Sequence, residues 1–382
     1  MKATKLFKDF FNSEKSGGLI LIFCTIISLI IANSIFGNAY HNFWQTQFLG
    51  HSIEHWVNDG LMTIFFLLIG LELEREIYQG ELSKIKDAML PIFGAIGGML
   101  LPAGLFLLFN FGTPTQSGVG IPMATDIAFA LGILSLLGNK VPTSLKIFLT
   151  ALAVIDDLGA ILVIAIFYTK TLLWTNLLIA LGIFGILLVL NRLKVRNLIP
   201  YLIGGILMWY FMLHSGVHAT ITGVLLAFAT PFGNGDEKST SYILQHFLHK
   251  PVAFIILPIF ALANTAIALN GNFTNSLTEN YSIGVASGLI IGKPLGIFLL
   301  TYIATKFGIC KLSTDLNWKN IFGVGILGGI GFTMSIFITL LAYNDTTIID
   351  NTKLTILFSS LIAGIVGLLV LKTTLKTTIT SE

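Results

Sequence analysis

The chain is 382 residues long, 54% hydrophobic and 11% charged, with a formal net charge of +3. Its apolar residues fall in blocks of about 20 rather than in amphipathic stripes, as in a chain dissolved in lipid, because roughly 20 helical residues cross a ~30 Å hydrocarbon core. That pattern excludes a soluble domain of any size, and the small positive balance sits in the loops, so no nucleic-acid partner is expected.

In chain order, the blocks begin near Gly18, Gly60, Met89, Val119, Thr143, Leu173, Ile199, Gly216, Pro251, Ser282, Ile321 and Leu354. The expected fold is therefore all-α: a polytopic membrane protein of about twelve transmembrane helices forming one integral membrane domain over residues 1–382. The longest interruptions, 37–58 and 233–250, are loop-sized. The first block is expected to be a retained span and not a signal peptide, since its apolar stretch is long and acids precede it. Cys24 falls in a span and Cys310 in a loop, so no disulfide framework is implied.

Lys and Arg are retained on the cytoplasmic side of a membrane, which gives the orientation. Walking the loops alternately, 19 of the 22 basic residues collect on one side, from Lys2, Lys5, Lys8 and Lys15 through Arg75, Arg192 and Lys250 to Lys372 and Lys376. Only Lys170 and Lys353 fall on the other, and Lys293 belongs to neither set. A wrong span count would scramble this alternation. Both termini are therefore expected on the cytoplasmic face.

The stretch "ALAVIDDLGAILVIAIF", residues 151–167, places Asp156 and Asp157 inside an apolar run, and "SGVGIPMATDIAFALG" does the same with Asp126. The other 16 of the 19 acidic residues are expected in loops, tails, interfaces or, for Asp59 and Glu72, near the ends of the second span. A charge at the bilayer centre costs about 2.5 to 3.5 kcal/mol on insertion scales, so a retained one faces a cavity or a partner. At 1.5 Å per residue, Asp156 and Asp126 both lie roughly 20 Å from the inside surface and Lys293 roughly 14 Å from it. A lysine side chain covers the difference, so four ionisable groups from three spans converge at one level.

Neighbouring helical residues are about 100° apart, so Asp156 and Asp157 aim at different points, and one is free to pair with Lys293 while the other faces a cavity. Two carboxylates 4 Å apart repel by around 4 kcal/mol at an effective dielectric near 20, and desolvation also favours a bound proton over a bare anion. A small cation supplies the missing charge in another way. Protons and a hard monovalent cation are thus expected to compete for one oxygen-lined site, Asp157 above all. The bland alternative is a structural ion pair stapling helices. "GKPLG", residues 292–296, likewise allows a lysine snorkelling to the interface, but its depth argues for an interior group that, unless paired, could exchange a proton itself.

Gly118, Gly120 and Pro122 precede Asp126, and "GVGILGGIGFTMSIF" in the eleventh span crowds five glycines into nine positions. Either could be close helix packing, but interrupted segments at corresponding places in two halves point to a transporter's midplane site. The expectation is interrupted helices in spans 4 and 11, each the middle of a trio, with opposite starting directions: an inverted-topology repeat over approximately 88–168 and 282–372.

"MATDIAFALGILSLLG", "ALAVIDDLGAIL", "SGVHATITGV", "LIIGKPLGI" and "GGIGFTMSIF", in this order, resemble the NhaA family of bacterial sodium/proton antiporters over residues 15 to 372. The resemblance implies a secondary antiporter, not an enzyme, that exchanges cytoplasmic sodium or lithium for external protons, electrogenically and without a cofactor, for sodium export and pH homeostasis in the bacterial inner membrane. It implies that Asp157 and Asp156 bind sodium and protons, that Thr125 and Asp126 lie where the broken helices cross, with Asp126 compensating facing helix ends, and that Lys293 pairs with Asp156 when the cation is absent. It further implies that Asp59, Glu72, Arg75, Glu76 and His218 govern cation access and pH response. The expected partners are membrane lipid, sodium and protons; a homodimer is compatible with this reading.

The chain departs from the family pattern at Gln245, where an acid is common, at Tyr242 and Ile243, where bases are expected, and at Glu74, where a base is usual. The transport motifs are intact, while the pH-response network of the family cannot be complete. The alternatives are a sodium-coupled symporter of the same architecture and an intramembrane aspartyl protease, the latter disfavoured because neither Asp126 nor Asp157 follows a G-x-G pattern.

Overall fold

A computed structural model of the chain describes residues 5–168, 172–269 and 277–375. Lys2, Lys170 and Lys376 of the charge alternation lie outside the described residues. The described residues are mostly helix, which a backbone in hydrocarbon requires because it must satisfy its own hydrogen bonds. The strand pair among the described residues is Gln47–Phe48 against His51–Ser52, antiparallel, with Leu49 and Gly50 both at positive φ in the turn, as a two-residue hairpin of this hand needs. Eight helices among the described residues are long and apolar enough to cross a membrane, or ten if two bent pairs each count as one crossing.

The chain divides into two compact units. The first comprises residues up to 22, 84–160 and those from 267 onward. Its tightest packing sets Ile85–Asn110 against Lys293–Lys306. Gly97 and Gly296 meet there, and a Cβ on either would overlap the other's carbonyl oxygen, so small residues let the two backbones touch. In the same unit Gln116–Met123 is a tight 3-10 helix containing Pro122, residues 124–126 are not helical, and the α-helix resumes at Ile127–Ser135. Pro122 lacks the amide hydrogen and its ring obstructs a regular turn, which accounts for the change of geometry. Trp318–Gly328 and Phe332–Ala342 meet at 45°, the break falling in the glycine-rich stretch.

The second unit comprises residues 23–83 and 161–266. Met62–Tyr78 packs along Ile221–Ala229 within it. Two expectations are corrected here. Residues 233–250, read as a loop, contain the helix Thr240–Pro251, which runs through a widened turn at Val252–Ile256 into Leu257–Asn264 as one 25-residue candidate span. The start moves upstream from Pro251 because Thr240, Ser241, Gln245 and His249 are buried, so a polar face that hydropathy reads as loop is an inward face. Pro251, without a donor, loosens the ladder into the following wide turn. The other correction is length. Ile199–Leu213 has 15 residues and Ile221–Ala229 has nine, about 22 and 14 Å, so the blocks begun near Ile199 and Gly216 fold into helices shorter than a full crossing.

Candidate ion site

Asp126, Asp156 and Lys293 are bonded to the residues of the two breaks or to the helix ends that flank them. Asp126 N donates to the Ile330 carbonyl at 2.7 Å, joining the non-helical residues of one break to those of the other. The Asp126 carboxylate then caps two helices at once. Its Oδ1 accepts from Phe129 N at 2.9 Å, at the start of Ile127–Ser135, and its Oδ2 accepts from Thr333 N at 3.0 Å and Thr333 Oγ1 at 2.5 Å, at the start of Phe332–Ala342. Helix N-termini carry partial positive charge and unsatisfied amides, so one buried carboxylate answers both.

The opposite polarity is met by lysine. Lys293 Nζ donates to the Met123 carbonyl, at the C-terminal end of Gln116–Met123, and to Asp156 Oδ2 at 2.6 Å. Thr125 Oγ1 lies 2.8 Å from Asp156 Oδ2 and 3.0 Å from the Gly328 carbonyl, the last of Trp318–Gly328, and its single proton serves one of them at a time. Lys293 and Asp157 are wholly buried, and Asp156 and Asp126 nearly so. Asp156 Oδ1 has no hydrogen bond among the described residues. An ion pair this deep holds only if its geometry offsets the loss of water, and the charge-assisted bond at 2.6 Å, with Thr125 and a helix end as further partners, supplies that geometry. Asp157, about 100° further round the same helix, is a second wholly buried carboxyl at the next position.

The structure thus bonds Thr125, Asp156 and Lys293 to one another, ties Asp126, next in the chain to Thr125, to the two helix starts, and sets Asp157 next to Asp156 in the chain. The remaining candidates lie in the second unit and fall into three places. Glu72 Oε1 is 3.5 Å from His249 Nδ1, and Arg75 donates to Glu76 Oε1 at 3.1 Å. Asp59 is about three and a half turns earlier on the same run, with Oδ2 3.3 Å from His55 Nε2 and its carbonyl accepting from Trp209. His218 Nε2 is 3.1 Å from the Tyr168 carbonyl.

Three features escape the sequence reading. Thr333 sits inside a quoted motif, yet only its place at a helix start marks it as a partner for Asp126. His249 follows Gln245 by four residues, one turn on, and could have been found as a basic group on the polar face of Thr240–Pro251. Glu72, Glu74 and Glu76 are all buried, with 3, 4 and 8% exposure, so the interior holds acids beyond the three Asp residues expected there.

A helical membrane protein with charges at crossed helix ends and two adjacent interior carboxylates is built like an ion transporter. Comparison with known proteins is specific. The Na+/H+ antiporter 1 family model matches residues 8–371. The chain is 77% identical over 379 residues to the Na+/H+ antiporter NhaA of Flavobacterium psychrophilum, covering 99% of each. It is 65% identical to Na+/H+ antiporter NhaA 1 of Flavobacterium johnsoniae, over 99% of each chain, and 62% identical to the NhaA of Cytophaga hutchinsonii, over 100% of this chain and 99% of that one. The chain belongs to the NhaA family of Na+/H+ antiporters.

Proposed function

We propose that this protein is a sodium/proton antiporter: a secondary transporter, not an enzyme, that exchanges sodium or lithium for protons and needs no cofactor. The observation that carries the reading is the fully buried bond between Lys293 and Asp156, with the buried carboxyl of Asp157 at the next position of the same helix. In this account Asp157 and Asp156 take a sodium ion or protons in turn, because neither carboxylate is stable bare in a medium of low dielectric. Lys293 holds Asp156 when sodium is absent and yields it when sodium enters. Thr125 offers its oxygen at the same place, and Asp126 keeps the two helix starts charge-balanced through the cycle. Exchange of more than one proton per sodium moves net charge, so a membrane potential, worth ~2.3 kcal/mol per charge per 100 mV, drives sodium out and serves pH homeostasis.

The architecture we assign is one transporter domain of twelve spans, the short helices Ile199–Leu213 and Ile221–Ala229 counted among them, in the bacterial inner membrane, in contact with lipid, with both termini cytoplasmic and a homodimer as a compatible assembly. Support for inverted repeats comes from the element order. A long helix, an interrupted pair and a long helix run as Ile85–Asn110, Gln116–Met123 with Ile127–Ser135, and Thr143–Phe167. The same order returns in the candidate span Asn280–Lys306, the pair Trp318–Gly328 and Phe332–Ala342, and Thr346–Thr374. Asp59, Glu72, Arg75, Glu76 and His218 are assigned to cation access and pH response; Glu74 and Gln245 make that response differ from the family pattern.

The test uses everted membrane vesicles carrying an imposed pH gradient. Added sodium or lithium should dissipate it, and Asp157→Asn should abolish the dissipation. A gradient indifferent to both ions, or an unimpaired Asp157→Asn protein, rejects the function.

A further inference from the structure

The second unit contains a cavity of about 530 Å³ that the transport account does not use. Its size is that of a small-molecule site, roughly 300 to 1,000 Å³. Met62–Tyr78 contributes Glu74 and, one turn later on the same face, Tyr78, with Gln79 just beyond. Asn191 comes from the last turn of Trp174–Arg192, and Phe228 and Phe232 from the end of Ile221–Ala229 and the residues after it. The loop that follows is held over the cavity: Gln79 Nε2 donates to the Asn234 carbonyl at 2.5 Å, and Gly233 and Gly235 take φ of 61° and 66°, a region that side chains resist.

Glu74 is 4% exposed, and its Oε2 has no hydrogen bond among the described residues. None of the residues lining the cavity is Lys or Arg. The adjacent Arg75 points about 100° away and is bonded to Glu76. A carboxyl sequestered in this way is neutralised either by a proton or by a positive partner. The surrounding groups define what that partner is. The Tyr78 and Phe232 rings lie 4.9 Å apart at 35°, and with Phe228 they offer aromatic faces; the amide oxygens of Gln79 and Asn191 offer acceptors. Aromatic faces, amide oxygens and one carboxylate suit an ammonium group carried on an apolar body. Calcium or magnesium needs six or more oxygen ligands, a zinc-type ion needs His or Cys ligands that the lining lacks, and an anion is repelled by Glu74.

We propose that this cavity is a binding site for a small monovalent organic cation, with Glu74 as its counter-charge and the Tyr78, Phe228 and Phe232 rings as its walls. The site lies on the helix that bears Glu72 and Glu76 and shares no lining residue with the Asp156–Asp157 cluster, and its occupancy does not depend on the antiport reading.

The experiment titrates the purified full-length protein in detergent with benzylamine, benzyltrimethylammonium and the neutral benzyl alcohol, following heat and thermal shift. Both cations should bind, with benzyl alcohol about tenfold weaker or worse, as expected for loss of a charge-assisted contact. Glu74→Gln should weaken both cations by about the same factor and leave benzyl alcohol unchanged. Tyr78→Leu, at an exposed position that the fold can spare, should weaken the quaternary cation most. Equal affinity for benzyl alcohol, or wild-type affinity for the cations in either variant, overturns the proposal. So does loss of benzylamine binding in Asp157→Asn with competitive displacement by sodium, since that would place the amine at the transport cluster.

Discussion

At the level of single residues, the interior charges were readable because they are expensive. Asp126, Asp156, Asp157 and Lys293 stand out in apolar runs that would exclude them unless something inside received them. Thr333 was not readable in that way, because a hydroxyl in a membrane helix ordinarily bonds its own preceding turn, as Thr301 does with the Ile297 carbonyl and Thr339 with that of Ser335. Only the break before Phe332 frees Thr333 to face Asp126. Two outcomes follow from these contacts. Removing one member of the Lys293–Asp156 pair leaves a buried charge alone, so Lys293→Ala and Asp156→Ala should each destabilise by about 3 to 5 kcal/mol. Their double variant should lose less than the sum by roughly 0.5 to 3 kcal/mol in thermal unfolding, and additive losses would mean that the pair is not coupled. Thr333→Val should cost about 1.5 to 3 kcal/mol, the value of a hydrogen bond to a charged group, while Thr333→Ser keeps the bond and most of the stability.

Elements were legible where apolar blocks and breakers coincide. Pro122 and the glycines of the eleventh block mark the places where helices change geometry or bend. Legibility failed where polarity faces inward. Thr240–Pro251 looks like a loop by hydropathy, and the burial of Glu74 is invisible because the sequence says nothing of the walls that Phe228 and Phe232 build round it. The crossing at Gly97 and Gly296 allows a direct check on the packing of the first unit. Gly296→Val forces a side chain into the opposing backbone and should lower the thermal midpoint by the equivalent of about 1 to 3 kcal/mol or prevent folding. Gly182→Val, at a helix position with open space around it, should leave the midpoint nearly unchanged. Similar midpoints for the two variants would mean that the crossing is loose.

For the whole molecule, the alternation of Lys and Arg and the spacing of apolar blocks gave a membrane protein with many helices, and the family match agrees with that reading. Sequence could not give the length of each crossing, because Ile199–Leu213 has only 15 residues and Ile221–Ala229, starting five residues after Gly216, only nine. What makes the molecule an exchanger, in this account, is mutual exclusion at Asp156 and Asp157: whatever neutralises them displaces the alternative. Sodium binding to the purified protein in weakly buffered solution, measured by calorimetry with simultaneous proton release, tests that claim most directly. Sodium should expel protons, its apparent affinity should fall about tenfold per pH unit for each competing proton as the solution is acidified, and Asp157→Asn should abolish both effects. Sodium that binds with the same affinity at every pH and releases no proton would contradict it.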